Sequence, residues 1–86
     1  MKNNYRYNFS DLSEFSKYVS ANGYQRNDIR YDYSAGGEYF LLREPNGWRV
    51  LVKEPGRSEV YYDECFSEIS MAGRRLLEII DGIFSI

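Results

Sequence analysis

Apolar residues recur along the chain with two different periods, and the changes between them mark out the fold. Phe9, Leu12, Phe15, Tyr18 and Val19 stand three and four residues apart, which makes one stripe of a helix. Ser10 is a suitable N-cap, Asp11 and Glu14 place negative charge in the first turn, and Gly23 can end the helix left-handed. The helix is predicted over about Ser10 to Asn22. Ahead of it, residues 1–8 read either as a flexible arm or as a short edge strand around Tyr5 and Tyr7.

After a polar connection at Tyr24 to Asp28, the period falls to two. Ile29, Tyr31 and Tyr33 alternate with Arg30, Asp32 and Ser34, the pattern of a half-buried strand. Gly36-Gly37 then offers a two-residue turn. The segment Glu38 to Lys53 reads as a β-hairpin folded at Pro45-Asn46-Gly47. Glu54-Pro55-Gly56-Arg57 is a further turn, and Ser58 to Tyr62 a short fourth strand.

From Asp63 the helical period returns through Phe66, Ile69, Leu76, Leu77, Ile80, Ile83 and Phe84, with Asp63 as N-cap and Gly82 as the stop. Gly73 lies inside this pattern, where it marks either close packing or a break. The expected fold is α+β in two layers. A four-stranded antiparallel meander sheet is flanked in sequence by an N-terminal and a C-terminal helix, all in a single small globular domain over residues 1–86.

Turn chemistry sets an expected register. Pro45 suits a type I turn and Gly47 the left-handed position after it, so a three-residue loop places Glu44 opposite Trp48, Leu42 opposite Val50 and Phe40 opposite Val52. A two-residue turn at Gly36-Gly37 puts Tyr33 and Tyr31 on the same side. A three-residue loop at Pro55, Gly56 and Arg57 sets Val52 against Val60 and Arg49 beside Asp63. One face is then Ile29, Tyr31, Tyr33, Phe40, Leu42, Trp48, Val50, Val52, Val60 and Tyr62, to be covered by the helices. The other carries Tyr39, Leu41, Leu51 and Tyr61 beside a row of Arg30, Arg43 and Arg49.

Composition narrows the chemistry. Eighty-six residues bury only roughly 60 to 65 % of their unfolded surface, so the core is small. The net charge of −2 weighs against indiscriminate binding to phosphate backbones. The single cysteine, Cys65, excludes an internal disulfide, and no stretch reads as a signal peptide or membrane span, so a cytoplasmic setting is expected. There is no histidine, the commonest general base and metal ligand. Cys65 has no histidine to activate it and reads as buried and structural. No catalytic, cofactor or metal constellation stands out, and the chain is expected to be no enzyme.

Nine tyrosines and the arginine row point instead to binding. The candidate contact residues are Arg30, Tyr39, Leu41, Arg43, Arg49 and Tyr61. The same face also reads as a solvated surface whose arginines pair with Asp32 and Asp63. Glu59, Asp63, Glu64 and Glu68 read as ordinary charge about the start of the second helix, and Arg74-Arg75 as projecting into solvent. The tail Ile79, Ile80, Ile83, Phe84 and Ile86 either packs under the sheet or offers a self-association surface for a homodimer.

The order helix, antiparallel strands, helix resembles the double-stranded RNA-binding domain. That family carries a lysine cluster where its second helix begins, and here Asp63, Glu64 and Glu68 occupy those positions. In size, mild acidity and element order the chain also resembles small anti-CRISPR proteins and other phage-encoded inhibitors, which implies binding and occlusion of a larger host protein. The leading expectation is therefore a non-enzymatic, inhibitor-like protein-binding module. The alternative is a small nucleic-acid-binding domain using the same arginines and tyrosines.

Overall fold

The computed structural model of the chain describes residues 8–54 and 59–86. The expected arm at residues 1–7 and the loop at 55–58 lie outside them. The elements in order are α1 (Leu12–Ala21), a 3-10 turn (Tyr24–Asn27), β1 (Ile29–Arg30), β2 (Tyr39–Glu44), β3 (Gly47–Lys53), β4 (Val60–Phe66) and α2 (Ile69–Ile80). The four strands form one sheet in the order β1-β2-β3-β4. The α+β class holds.

The N-cap of α1 is Asp11 rather than Ser10. Its side chain accepts the Glu14 amide at 3.0 Å, and Glu14 reaches back to accept the Ser10 amide at 2.9 Å. That reciprocal arrangement satisfies an amide that the first helical turn leaves without a partner and ties down the Ser10 amide just ahead of the cap. At the other end Gly23 takes φ +80, the left-handed conformation that stops the helix.

Helix α2 starts five residues later than the sequence pattern implies. Asp63 is not its cap, because β4 runs on to Phe66 and Glu68 takes the N-cap position. Phe66 therefore serves the sheet, although it fits the helical stripe equally well. α2 is continuous through Gly73. A Cβ there would stand 2.8 Å from Phe15 and 3.1 Å from Phe9, so the glycine lets these rings of the α1 side press against the α2 backbone. Close packing explains it, and its helix-propensity cost of about 1 kcal/mol is offset by that contact.

The sheet departs from the expected meander at both ends. β1 is two residues long and pairs parallel to β2, Ile29 with Tyr39 and Arg30 with Phe40. Residues 31–34 do not continue as a strand, and Gly36-Gly37 is not a hairpin turn. The chain instead bows out and comes to lie under the far side of the sheet. There Tyr33 stacks on Phe40 at 5.4 Å, and a Cβ on Gly37 would strike the Phe40 ring at 2.4 Å.

The central hairpin has a two-residue loop. Glu44 pairs with Gly47, Arg43 with Trp48, Leu41 with Val50 and Tyr39 with Val52. Paired residues share a face, so this one-residue shift turns all of β2 over relative to the expected register. Leu41, Val50 and Val52 lie in the core with Phe9, Phe15, Val19, Ile69, Ala72, Leu76 and Leu77 from the helical side. Phe40 and Leu42 face away from the helices.

The last pairing is also shifted, by two residues: Val52 meets Tyr62, Leu51 meets Asp63, and a bulge separates these pairs from Lys53 and Val60. A two-residue shift preserves parity, so Tyr62 stays on the helical side as expected. Arg75 pins this edge to α2. Its guanidinium lies 4.0 Å from the Phe84 ring centre and donates to the Tyr62 hydroxyl at 2.7 Å and to Glu64 at 3.0 Å. It does not project into solvent as expected; Arg74 does. Phe84 from the tail meets Tyr62 edge-on, while Ile83 and Ile86 stay exposed. Burial, and then the hydrogen bond donated to Glu64, push the Tyr62 hydroxyl up to about 12.

Candidate protein-binding surface

The helices cover one side of the sheet, and the other side is the candidate surface. It carries Arg30 from β1, Phe40, Leu42 and Glu44 from β2, Arg49, Leu51 and Lys53 from β3, and Asp63 and Cys65 from β4. Tyr61 occupies the bulge beside them.

The six expected contact residues do not stay together. Leu41 is fully buried at 0 % exposure in the core under the helices, and Tyr39 packs against the same core. Arg43 also lies on the helical side, with its guanidinium 5.1 Å from the Trp48 ring centre. The row of three arginines is therefore broken, because the flip of β2 removes its middle member. Arg30, Arg49 and Tyr61 remain on the side without helices.

Both remaining arginines have acidic partners. Arg49 makes a two-pronged contact with Asp63, Nε to Oδ1 at 2.7 Å and Nη2 to Oδ2 at 2.6 Å, with Glu44 at 3.8 Å. The ion pair expected between Arg49 and Asp63 thus forms diagonally, although their strands pair two residues out of the expected register. Arg30 bonds to Asp28 at 2.9 Å and to the Ser34 hydroxyl at 2.7 Å. It holds the loop after β1 and pairs with Asp28, where Asp32 was expected. Fixed, neutralised arginines form a rigid polar patch and leave little charge for phosphates.

Two side chains expected under the helices, Tyr33 and Leu42, belong here, and Lys53 lies on this side as expected but buried. Tyr33 is 61 % exposed, and Leu42 is half-buried on this side. Lys53 is buried at 0 %, its ammonium donating to the Tyr33 hydroxyl at 3.2 Å and the Ala35 carbonyl at 3.1 Å beneath the loop. Lys53 and Phe40 therefore build a second, small packed layer, with Tyr33 as its outer wall. Tyr39-Phe40-Leu41-Leu42 has no alternation to say which members face this layer. The signal for Lys53 was absent, because a lysine in an alternating strand reads as solvent-facing.

Cys65 is exposed, opposite Arg49, rather than buried. Two shallow depressions flank the hairpin tip. One, of about 250 Å³, is lined by Glu44 to Trp48 with Cys65 and Phe66. The other, of about 260 Å³, lies between residues 31–33 and 42–44. Among the described residues no helix is long and apolar enough to cross a membrane. Comparison of the chain with known protein families, curated proteins and solved structures finds no match.

The Arg49 contact makes stability pH-dependent. The hydrogen bonds from Arg49 hold the Asp63 carboxyl below its ordinary value. A carboxyl depressed on folding contributes stability above its unfolded value of about 3.9, and that contribution fades as pH falls through the lower folded value. Asp63→Asn is expected to flatten this part of the acid limb. Urea midpoints of both proteins between about pH 2 and 5 would show it. Parallel curves would mean that the pair contributes nothing, as many exposed pairs do.

Proposed function

We propose that the chain is a non-enzymatic protein-binding module that acts by covering a surface of a larger protein. The observation that carries this is the helix-free side of the sheet. Exposed Tyr33 and Tyr61 (52 %), with Leu42, surround a fixed Arg49–Asp63 pair, and among the described residues no layer closes over them. Aromatic anchors beside an arginine held in place are the ingredients of an interface centre. The contact set is Tyr33, Leu42, Arg49 and Tyr61, with Arg30 at the rim. Inhibition by occlusion, in a cytoplasmic host, rests on the likeness in size and element order to small phage-encoded inhibitors.

The test is capture of a partner from host extract by immobilised chain. Leu42→Glu with Tyr61→Glu is expected to weaken capture at least about tenfold, whereas Met71→Glu, on exposed α2 surface, leaves it unchanged. Equal loss in both variants would move the interface off this side. Micromolar binding to DNA or RNA that falls steeply with salt would replace the reading with nucleic-acid recognition.

A further inference from the structure

Among the described residues the edge of the sheet at β2 is only partly closed. The Lys53 amide donates to the Glu38 carbonyl at 2.8 Å, which fixes the phase of the antiparallel ladder. Residues 38, 40, 42 and 44 point their backbone groups toward β3, and residues 39, 41 and 43 point theirs away. β1 pairs with Tyr39 and Phe40 alone, so its last bond reaches no further than the Leu41 amide. The Leu41 carbonyl and both backbone groups of Arg43 face outward. No backbone hydrogen bond links residues 31–33 to them.

At this place the chain after β1 bows away and leaves the depression of about 260 Å³, walled by Tyr31, Asp32 and Tyr33 on one side and Leu42, Arg43 and Glu44 on the other. The gap lies where a longer β1 would have run. Its rim is acidic. Among the described residues Asp32 has no ion pair, and Glu44 has only a 3.8 Å contact to an arginine that Asp63 already holds at 2.6 Å. Arg43, the one cation in the lining, turns its guanidinium to the helical side over Trp48. The outer edge of β4 is longer but, among the described residues, lacks a second wall, and its Asp63 and Glu64 are paired to Arg49 and Arg75.

We propose that this slot accepts a short extended segment of a partner protein, bearing lysine or arginine, as an added strand on β2. Backbone pairing to Leu41 and Arg43 supplies the binding, Tyr31 and Tyr33 flank it, and Asp32 and Glu44 select the basic side chains. The proposal rests on the reading of the chain as a protein-binding module, and it names the chemistry of the partner.

The test uses the isotopically labelled chain titrated with acetylated, amidated hexapeptides in which lysine alternates with valine. Amide shifts are expected at Leu41 to Glu44 and at residues 31–33, and glutamate-for-lysine peptides should bind at least about tenfold more weakly. Arg43→Pro removes an outward amide at an edge position that tolerates proline, and binding should be lost. Arg43→Ala keeps the amide and should bind within about twofold of the parent. If Arg43→Pro fails to fold, N-methylation of alternate peptide amides asks the same question: one register should abolish binding and the other spare it. No shifts at about 1 mM lysine peptide overturn the proposal. So do shifts confined to β4, or a dimer of the chain that Arg43→Pro dissociates. Peptide binding that survives while Tyr61→Glu, a change outside the slot lining, still captures partner leaves the slot standing and removes the sheet face. The opposite outcome removes the slot alone.

Discussion

Phe15→Ala is expected to destabilise the protein by about 3–5 kcal/mol, the range for a buried phenylalanine. Phe15 is fully buried at the crossing of α1 and α2. Its ring meets Phe9 edge-on at 5.1 Å and Tyr31 at 6.3 Å, and its far side lies against Gly73. Truncation opens a space that no neighbour fills easily, because the α2 position facing it has no side chain. Small domains have little stability in reserve, so a cost of this size leaves much of the population unfolded. Urea unfolding followed by Trp48 fluorescence measures it.

The glycine makes the test sharper. Gly73→Ala alone sets a methyl 2.8 Å from the Phe15 ring and is expected to destabilise through overpacking. In the Phe15→Ala background the same methyl enters vacated space and regains helix propensity. The double variant is therefore expected to be more stable than the sum of the two changes implies. Simple additivity would mean that ring and glycine do not pack as described.

The second large effect separates two adjacent leucines. Leu41→Glu is expected to abolish cooperative folding, and Leu42→Glu to leave a cooperatively folded protein. Leu41 lies under the helices between Val50 and the α2 stripe, where an unpaired carboxylate costs about 4 kcal/mol or more. Leu42, opposite Arg49 on the other side, can direct a carboxylate toward solvent and that guanidinium. Thermal unfolding of the two variants reads the register directly. Reversal of the outcomes would restore the three-residue turn and the face it implies.

The same pair of residues shows how far the sequence reaches. Both helices were legible because their apolar stripes run over three turns or more, and the stop at Gly23 was legible because only a residue at ease with positive φ ends a helix in that way. The hairpin itself was legible from Pro45-Asn46-Gly47 between two apolar segments. The candidate surface was less so. Arg49 beside Asp63 survived because their side chains are long enough to meet across a diagonal. The arginine row did not survive, because it depended on the phase of β2. Phe66 shows a related ambiguity, since an apolar residue at an element boundary fits both a strand face and a helical stripe.

The sequence by itself therefore determined the kinds of element, their order and the α+β class, all of which follow from local periodicity and chain-stopping residues. It did not determine which side of β2 faces the helices. Tyr39-Phe40-Leu41-Leu42 is apolar without alternation, so either phase buries two large side chains under α1 and α2, and turn chemistry favoured the wrong one. The tertiary structure decided it by offering a second place to bury the remainder. The loop after β1 folds beneath the sheet, Tyr33 stacks on Phe40, and Lys53 extends below the same loop. With that layer present, Glu44 opposite Gly47 buries Phe40 on one side and Leu41 on the other. Among the described residues the short β1 that results leaves the edge of β2 partly open, a consequence of long-range packing that no local pattern encodes.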